Sequence, residues 1–356
     1  MKNFILPEKY QTIDKNTLAK KISAIREQFG KNLLILGHHY QRDSVLQHCD
    51  ERGDSFALAK IAANASAETI VFCGVHFMAE TADIVTNDNQ KVYIPDPTAG
   101  CFLADCANIQ QIEAVWEKLT AITDEKIIPI TYINSAADLK AFTGKHDGIV
   151  CTSSNAAKAL QKAREAGDKV FFFPDQHLGR NTGVKMGIDL SKIKLWEKEG
   201  IGLTEDDIHE AEIILWDGYC DVHQEFSSNY VDFLRKTYKD IKIVAHPECD
   251  YSVCQKADYT GSTKEIIELI ENSRDKVWGV GTEKHLVNRL QKQHPEKEIY
   301  FLQDYEPKCT TMAQITPEHL LYQLENLAAG LEENRVRVDK NIAKDAQLAL
   351  DRMLKL

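Results

Sequence analysis

Short apolar runs alternate with polar, alanine-rich segments along the whole chain. Leu33-Leu34-Ile35-Leu36 leads into Gly37-His38-His39-Tyr40, the run at 69–73 into Gly74-Val75, and Lys91-Val92-Tyr93-Ile94 into Pro95-Asp96-Pro97. Runs this short, rich in β-branched residues and bounded by turn formers, predict strands buried on both faces of a parallel sheet. The segment around 54–66 suits a helix between the first two strands. The pattern recurs at 127–131, 148–151 and 170–173, and again at 241–245, 276–280 and 298–302. Glu212-Ile213-Ile214-Leu215-Trp216 is an extra strand near a junction. Three blocks of three strands, each closing in an Asp-containing turn, predict three small α/β units. One large doubly wound domain is the competing reading. Thr316-Pro317-Glu318 marks a helix start. Ile342, Ala346, Leu348, Leu350 and Met353 mark a second helix from about Asp339, with Gly330 between the two. The pair reads as cover for the first sheet, and the first 30 residues as a helix over the first unit.

Composition narrows the function classes. The chain has 356 residues, 43% of them hydrophobic, enough for two or three domains without disulfide staples. The net charge is -11, from 54 acids and 43 bases, which argues against a general nucleic-acid binder. A local anion site is compatible with that total. No run of 18 apolar residues predicts a membrane span, and Met1 to Pro7 lacks a signal-peptide pattern. The expectation is a cytoplasmic protein.

Nine cysteines lie at 49, 73, 101, 106, 151, 220, 249, 254 and 309, with no CxxC pair. Cys101, Cys220 and Cys309 each fall in a loop after a predicted strand. Three thiolates from three loops can hold a four-iron cluster and leave one iron open as a Lewis acid. The pairs Cys101-x4-Cys106 and Cys249-x4-Cys254 offer a zinc site instead, and spacing does not separate the two sets. Cys49, Cys73 and Cys151 read as structural. Several polar residues follow strands directly, where open α/β sheets place ligands. His38 and Tyr40 follow the first strand, and Tyr132 and Asn134 follow another. His246 and Glu248 follow a later one, offering proton donors and acceptors near neutral pH. Ser55, Thr152-Ser153 and Ser262-Thr263 suit a carboxylate or phosphate, and equally suit plain helix caps. A phosphate-binding P-loop and a GxGxxG turn are both absent.

These segments, taken in order, resemble the bacterial quinolinate synthases, iron–sulfur enzymes of de novo NAD biosynthesis. The resemblance runs through Gly37-His38-His39-Tyr40-Gln41, Gly53-Asp54-Ser55, Phe72-Cys73-Gly74-Val75-His76, Gly100-Cys101-Phe102-Leu103 and Tyr132-Ile133-Asn134. It continues through Cys151-Thr152-Ser153-Ser154-Asn155, Pro174-Asp175-Gln176-His177-Leu178-Gly179, Trp216-Asp217-Gly218-Tyr219-Cys220-Asp221-Val222-His223, His246-Pro247-Glu248-Cys249, Gly261-Ser262-Thr263, Gly281-Thr282-Glu283 and the Cys309 segment. It covers about residues 30–356. It implies three similar three-layer αβα units with parallel sheets in pseudo-threefold arrangement around a central active site. The expected boundaries are 1–107 completed by 310–356, then 108–221, then 222–309. It implies a [4Fe-4S] cluster on Cys101, Cys220 and Cys309 with one open iron. The implied reaction condenses iminoaspartate with dihydroxyacetone phosphate to quinolinate, phosphate and two waters. Tyr40 and Glu248 are expected to transfer protons. His246 would orient or donate to oxygen, and His38 would hold phosphate or a carboxylate. His223, Tyr132 and Asn134 would position the substrate, and Ser55, Ser153, Ser262 and Thr263 would bind its anionic groups. A monomer or homodimer is expected, with transient contact to the enzyme that supplies the unstable imine.

Overall fold

The computed structural model describes residues 4–198 and 202–356. The strands of the first sheet are β1 (Leu33–His38), β2 (Glu51–Gly53), β3 (Thr69–Cys73) and β4 (Lys91–Tyr93). The second sheet holds β5 (Ile127–Tyr132), β6 (Ile149–Cys151), β7 (Lys169–Phe173), β8 (Ile193–Trp196) and β9 (Ile213–Trp216). The third holds β10 (Lys242–Ala245), β11 (Tyr259–Thr260), β12 (Val277–Gly281) and β13 (Glu298–Phe301), and β14 (Arg335–Val336) returns to the first. The spatial orders are β2-β1-β3-β4-β14, β6-β5-β7-β9-β8 and β11-β10-β12-β13. Each sheet therefore contains the same four-strand parallel core, in which the second strand of the block lies outside the first. Among the described residues only β14 runs antiparallel, against β4. The three αβα sheet domains are thus one design used three times.

Burial explains the runs. Every residue of β5, β7 and β9 is buried, as expected for strands covered on both faces. Phe171, Phe173, Ile214 and Trp216 meet Ile112, Leu119, Leu139 and Phe142 in the second sheet's core. Val231, Leu234, Ile243 and Leu302 form the core of the third. Each block has four strands or more where the sequence pattern showed three. The missing second strands are Glu51-Arg52-Gly53 and Tyr259-Thr260, short edge strands with exposed residues. Edge position removes the apolar signature on which the pattern depends. The extra strand at 212–216 is β9, a member of the second sheet.

The chain separates into one compact unit of residues 1–101 with 309–340 and another of 102–308 with 341–356. The first unit carries the first sheet, the second unit the other two. In the first unit the Lys15–Phe29 helix packs on Pro317–Ala328. The last helix, Lys340–Leu354, departs from the expected cover of the first sheet and lies in the second unit. There Arg352 Nη1 donates to Gly148 O at 2.7 Å. A Cβ on Gly144 would stand 1.9 Å from Asp345 O. The glycine allows that close approach.

Candidate active site

The segment after the last core strand is built the same way three times. A one-turn 3-10 helix begins three residues beyond each cysteine, at 104–106 after Cys101, 223–225 after Cys220 and 312–314 after Cys309. A capped helix follows, with Asn108, Ser227 and Thr316 accepting from the N–H groups of Gln111, Tyr230 and His319. One backbone bond also recurs, to the residue two before each cysteine. His76 donates to Ala99 O at 2.8 Å, Gln176 to Gly218 O at 2.8 Å and Lys284 to Pro307 O at 2.9 Å. Cys101, Cys220 and Cys309 are therefore equivalent positions of one repeated motif. All three are partly exposed, whereas Cys73, Cys151, Cys249 and Cys254 are buried.

The rival Cys249–Cys254 pair looks different. Cys249 Sγ is 3.6 Å from Gly281 O, and Cys254 Sγ 3.7 Å from His246 O. Burial pushes the Cys249 thiol well above its ordinary range and the Cys254 thiol up to about 12. Thiols held neutral against carbonyls are poor metal ligands.

In the second unit, four of the sequence-picked side chains converge. Tyr132, at the end of β5, donates its hydroxyl to Glu248 Oε1. His223 Nδ1 lies 2.9 Å from Glu248 Oε2, and its Nε2 lies 3.3 Å from Thr282 Oγ1. The His223 and His246 rings stack at 4.5 Å. All four side chains are 5% exposed or less. Burial drives His246 down to about 3, so its imidazole is neutral at physiological pH. Burial alone would raise Glu248. The two histidines and the hydrogen bonds from His223 and Tyr132 outweigh it and hold the carboxyl below its usual range. One ligand atom from each of Cys220, His223 and Glu248 lies within 4.8 Å of the others, a group able to hold a metal ion. That set differs from the expected three cysteines and contains one of them.

In the first unit His38 Nδ1 accepts from the Tyr40 N–H at 3.1 Å, with the rings edge-on at 4.8 Å. Their loop is tied toward the Cys309 turn, since Gln41 Nε2 donates to Met312 O at 3.1 Å and Arg42 Nη2 to Ala313 O at 2.5 Å. Ser55 opens the Ser55–Ala63 helix behind its Asp54 cap. Cys101 and Cys309 also belong to this unit.

Ser153 lies in the loop after β6, before the Ala156–Ala166 helix. Asn134 Oδ1 and Thr152 Oγ1 are buried without a hydrogen-bond partner among the described residues. Buried orphans of that kind are open to a ligand. Ser262 instead caps the helix that Thr263 opens, in a capping box with Glu265. The sequence reading missed Lys140, wholly buried, with Nζ donating to Ser135 O beside Asn134. It also missed Asp175, whose Oδ1 caps the Gln176–Lys185 helix while Oδ2 stays buried without a partner. Asp175 lies within the Pro174-Asp175-Gln176-His177-Leu178-Gly179 segment, so the motif was the available signal.

The family profile described as NadA, quinolinate synthetase A protein, matches residues 20–355. A quinolinate synthase of Geobacillus sp. (strain WCH70) is 48% identical over 354 residues, 99% of this chain and 96% of that protein. One from Rhodopirellula baltica is 49% identical over 361 residues, 97% of this chain and 92% of that protein. One from Bacillus anthracis is 47% identical over 353 residues, with 98% and 96% covered. The chain belongs to the quinolinate synthase family. It is an enzyme of that family, a transferase-type activity of NAD biosynthesis. Among the described residues no helix is long and apolar enough to cross a membrane.

Proposed function

We propose that the chain condenses iminoaspartate with dihydroxyacetone phosphate, releasing quinolinate, phosphate and two waters. Atoms balance in that reaction without an oxidant or reductant, so the site must move protons and expel hydroxyl and phosphate groups. The observation that carries the reading is the buried Tyr132–Glu248–His223 network beside Cys220. Cys101, Cys220 and Cys309, repeated in position and partly exposed, fit a [4Fe-4S] cluster as its three thiolate ligands. When bound, that group supplies an open iron as a Lewis acid for leaving oxygen.

The remaining chemistry belongs to the side chains. Glu248, ionised and dry, takes a proton from carbon or from an attacking hydroxyl. Tyr132, whose hydroxyl meets Glu248 Oε1, returns a proton to the substrate and regains one from the protonated carboxyl. Neutral His246 donates to or orients a substrate oxygen, and His223 holds the carboxylate's other oxygen in place. Tyr40 serves proton transfer, and His38 holds a phosphate or carboxylate. Asn134 positions the intermediate. Ser55, Ser153 and Thr263 stand beside helix N-termini, which favour anionic groups. Ser262 has both its hydroxyl and its backbone N–H committed to the capping box with Glu265, which leaves Thr263 as the anion-binding residue of that turn.

The test is Glu248→Gln, assayed anaerobically for quinolinate with the imine generated in the reaction. Turnover should fall on the order of 10²–10⁴-fold while iron and sulfide content stay at wild-type level. A wild-type rate would remove Glu248 from proton transfer.

A further inference from the structure

Glu248 is held by its backbone as well as by its carboxylate. Asn181, inside the Gln176–Lys185 helix, donates through Nδ2 to Pro247 O at 2.8 Å and to Cys249 O at 2.9 Å. Those are the carbonyls on either side of Glu248. Gln224, in the 3-10 turn after Cys220, donates through Nε2 to Glu248 O at 3.1 Å. Three consecutive carbonyls are thus held by two side-chain amides from two other elements.

The cost of this arrangement is visible. Asn181 is 9% exposed, and its Oδ1 is buried without a hydrogen-bond partner among the described residues. An unsatisfied buried acceptor is destabilising, and asparagine is a weak helix former. A leucine of similar size would avoid both penalties but would leave the Pro247 and Cys249 carbonyls without these donors. The amide is therefore explained by its two N–H groups, which hold those carbonyls.

We propose that Asn181 and Gln224 are positioning residues that fix the Glu248 backbone, so that its carboxylate meets Tyr132 and His223. The proposal rests on the assignment of Glu248 to proton transfer. A carboxylate displaced by about 1 Å costs catalysis on the order of 10²-fold, because proton transfer needs hydrogen-bond reach.

The experiment is a double-mutant cycle on kcat and KM with the cluster-loaded full chain. Asn181→Leu should lower kcat about 10- to 100-fold and leave KM within about twofold. In a Glu248→Gln background the same change should lower kcat by less than about twofold, because its target is already gone. Cys254→Ala is the control, since it removes the amide's remaining contact, to Sγ at 3.3 Å, and leaves both carbonyl hydrogen bonds of Asn181 in place. It should leave kcat within about twofold. Equal fractional losses in both backgrounds, or an unchanged kcat in Asn181→Leu, would overturn the proposal. If Asn181→Leu does not fold, the same cycle on Gln224→Leu decides it. Retention of wild-type rate by Glu248→Gln alone would instead remove the underlying assignment.

Discussion

At the scale of single residues, buried histidines set the protein's response to acid. His177 is 6% exposed, and its Nδ1 has no hydrogen-bond partner among the described residues. Its nearest acid, Asp250, stands 3.9 Å away. Burial, helped by Arg180, lowers it to about 4 from 6.5. Between those values the unfolded chain binds the proton and the folded chain does not, so stability falls as pH drops from 6.5 toward 4. The effect amounts to at most about 3 kcal/mol. His246 acts in the same sense over a window reaching about 3. Thermal melts of His177→Gln should therefore lose fewer degrees between pH 7 and 5 than wild type. Parallel curves would show that His177 is not titrating on unfolding. Strand-end residues such as His38, His246 and Glu248 were legible in the sequence because β-strands announce their ends. Asn181 and Lys140 were not, since a polar residue inside a helix shows its role only through partners distant in sequence.

At the scale of elements, the repeated turn after each cysteine depends on its cap. Asn108, Ser227 and Thr316 each satisfy an N–H that the helix leaves open. Replacing one by alanine should cost about 1 kcal/mol, read as a drop in Tm of a few degrees. The last helix makes a sharper case. Gly144→Ala would drive a methyl into the Asp345 carbonyl, a backbone atom that cannot swing aside. A loss of about 1–3 kcal/mol is expected in chemical denaturation. An unchanged midpoint would mean the Lys340–Leu354 helix does not pack there. Its amphipathic pattern was readable, but an apolar face does not name the surface that covers it. That is why the helix was expected on the first sheet and lies in the second unit. The paired edge strands escaped for a related reason, since Glu51-Arg52-Gly53 carries no apolar run at all.

At the scale of the whole molecule, three copies of one four-strand core place three cysteines at one repeated position. The net charge of -11 conflicts with anionic substrates only if charge is averaged over the surface. Helix N-termini and buried donors set the local field instead. The order of motifs made the family legible in the sequence, while cysteine spacing alone left two ligand sets standing. Burial of Cys249 and Cys254 against carbonyls now weighs against the paired set. The most direct test is iron, acid-labile sulfide and zinc measured on anaerobically purified protein and its Cys→Ser variants. The account predicts about four irons and four sulfides per chain. Each of Cys101→Ser, Cys220→Ser and Cys309→Ser should lose them, while Cys249→Ser and Cys254→Ser keep them. One zinc without sulfide after attempted reconstitution, with losses following Cys106, Cys249 and Cys254, would contradict it.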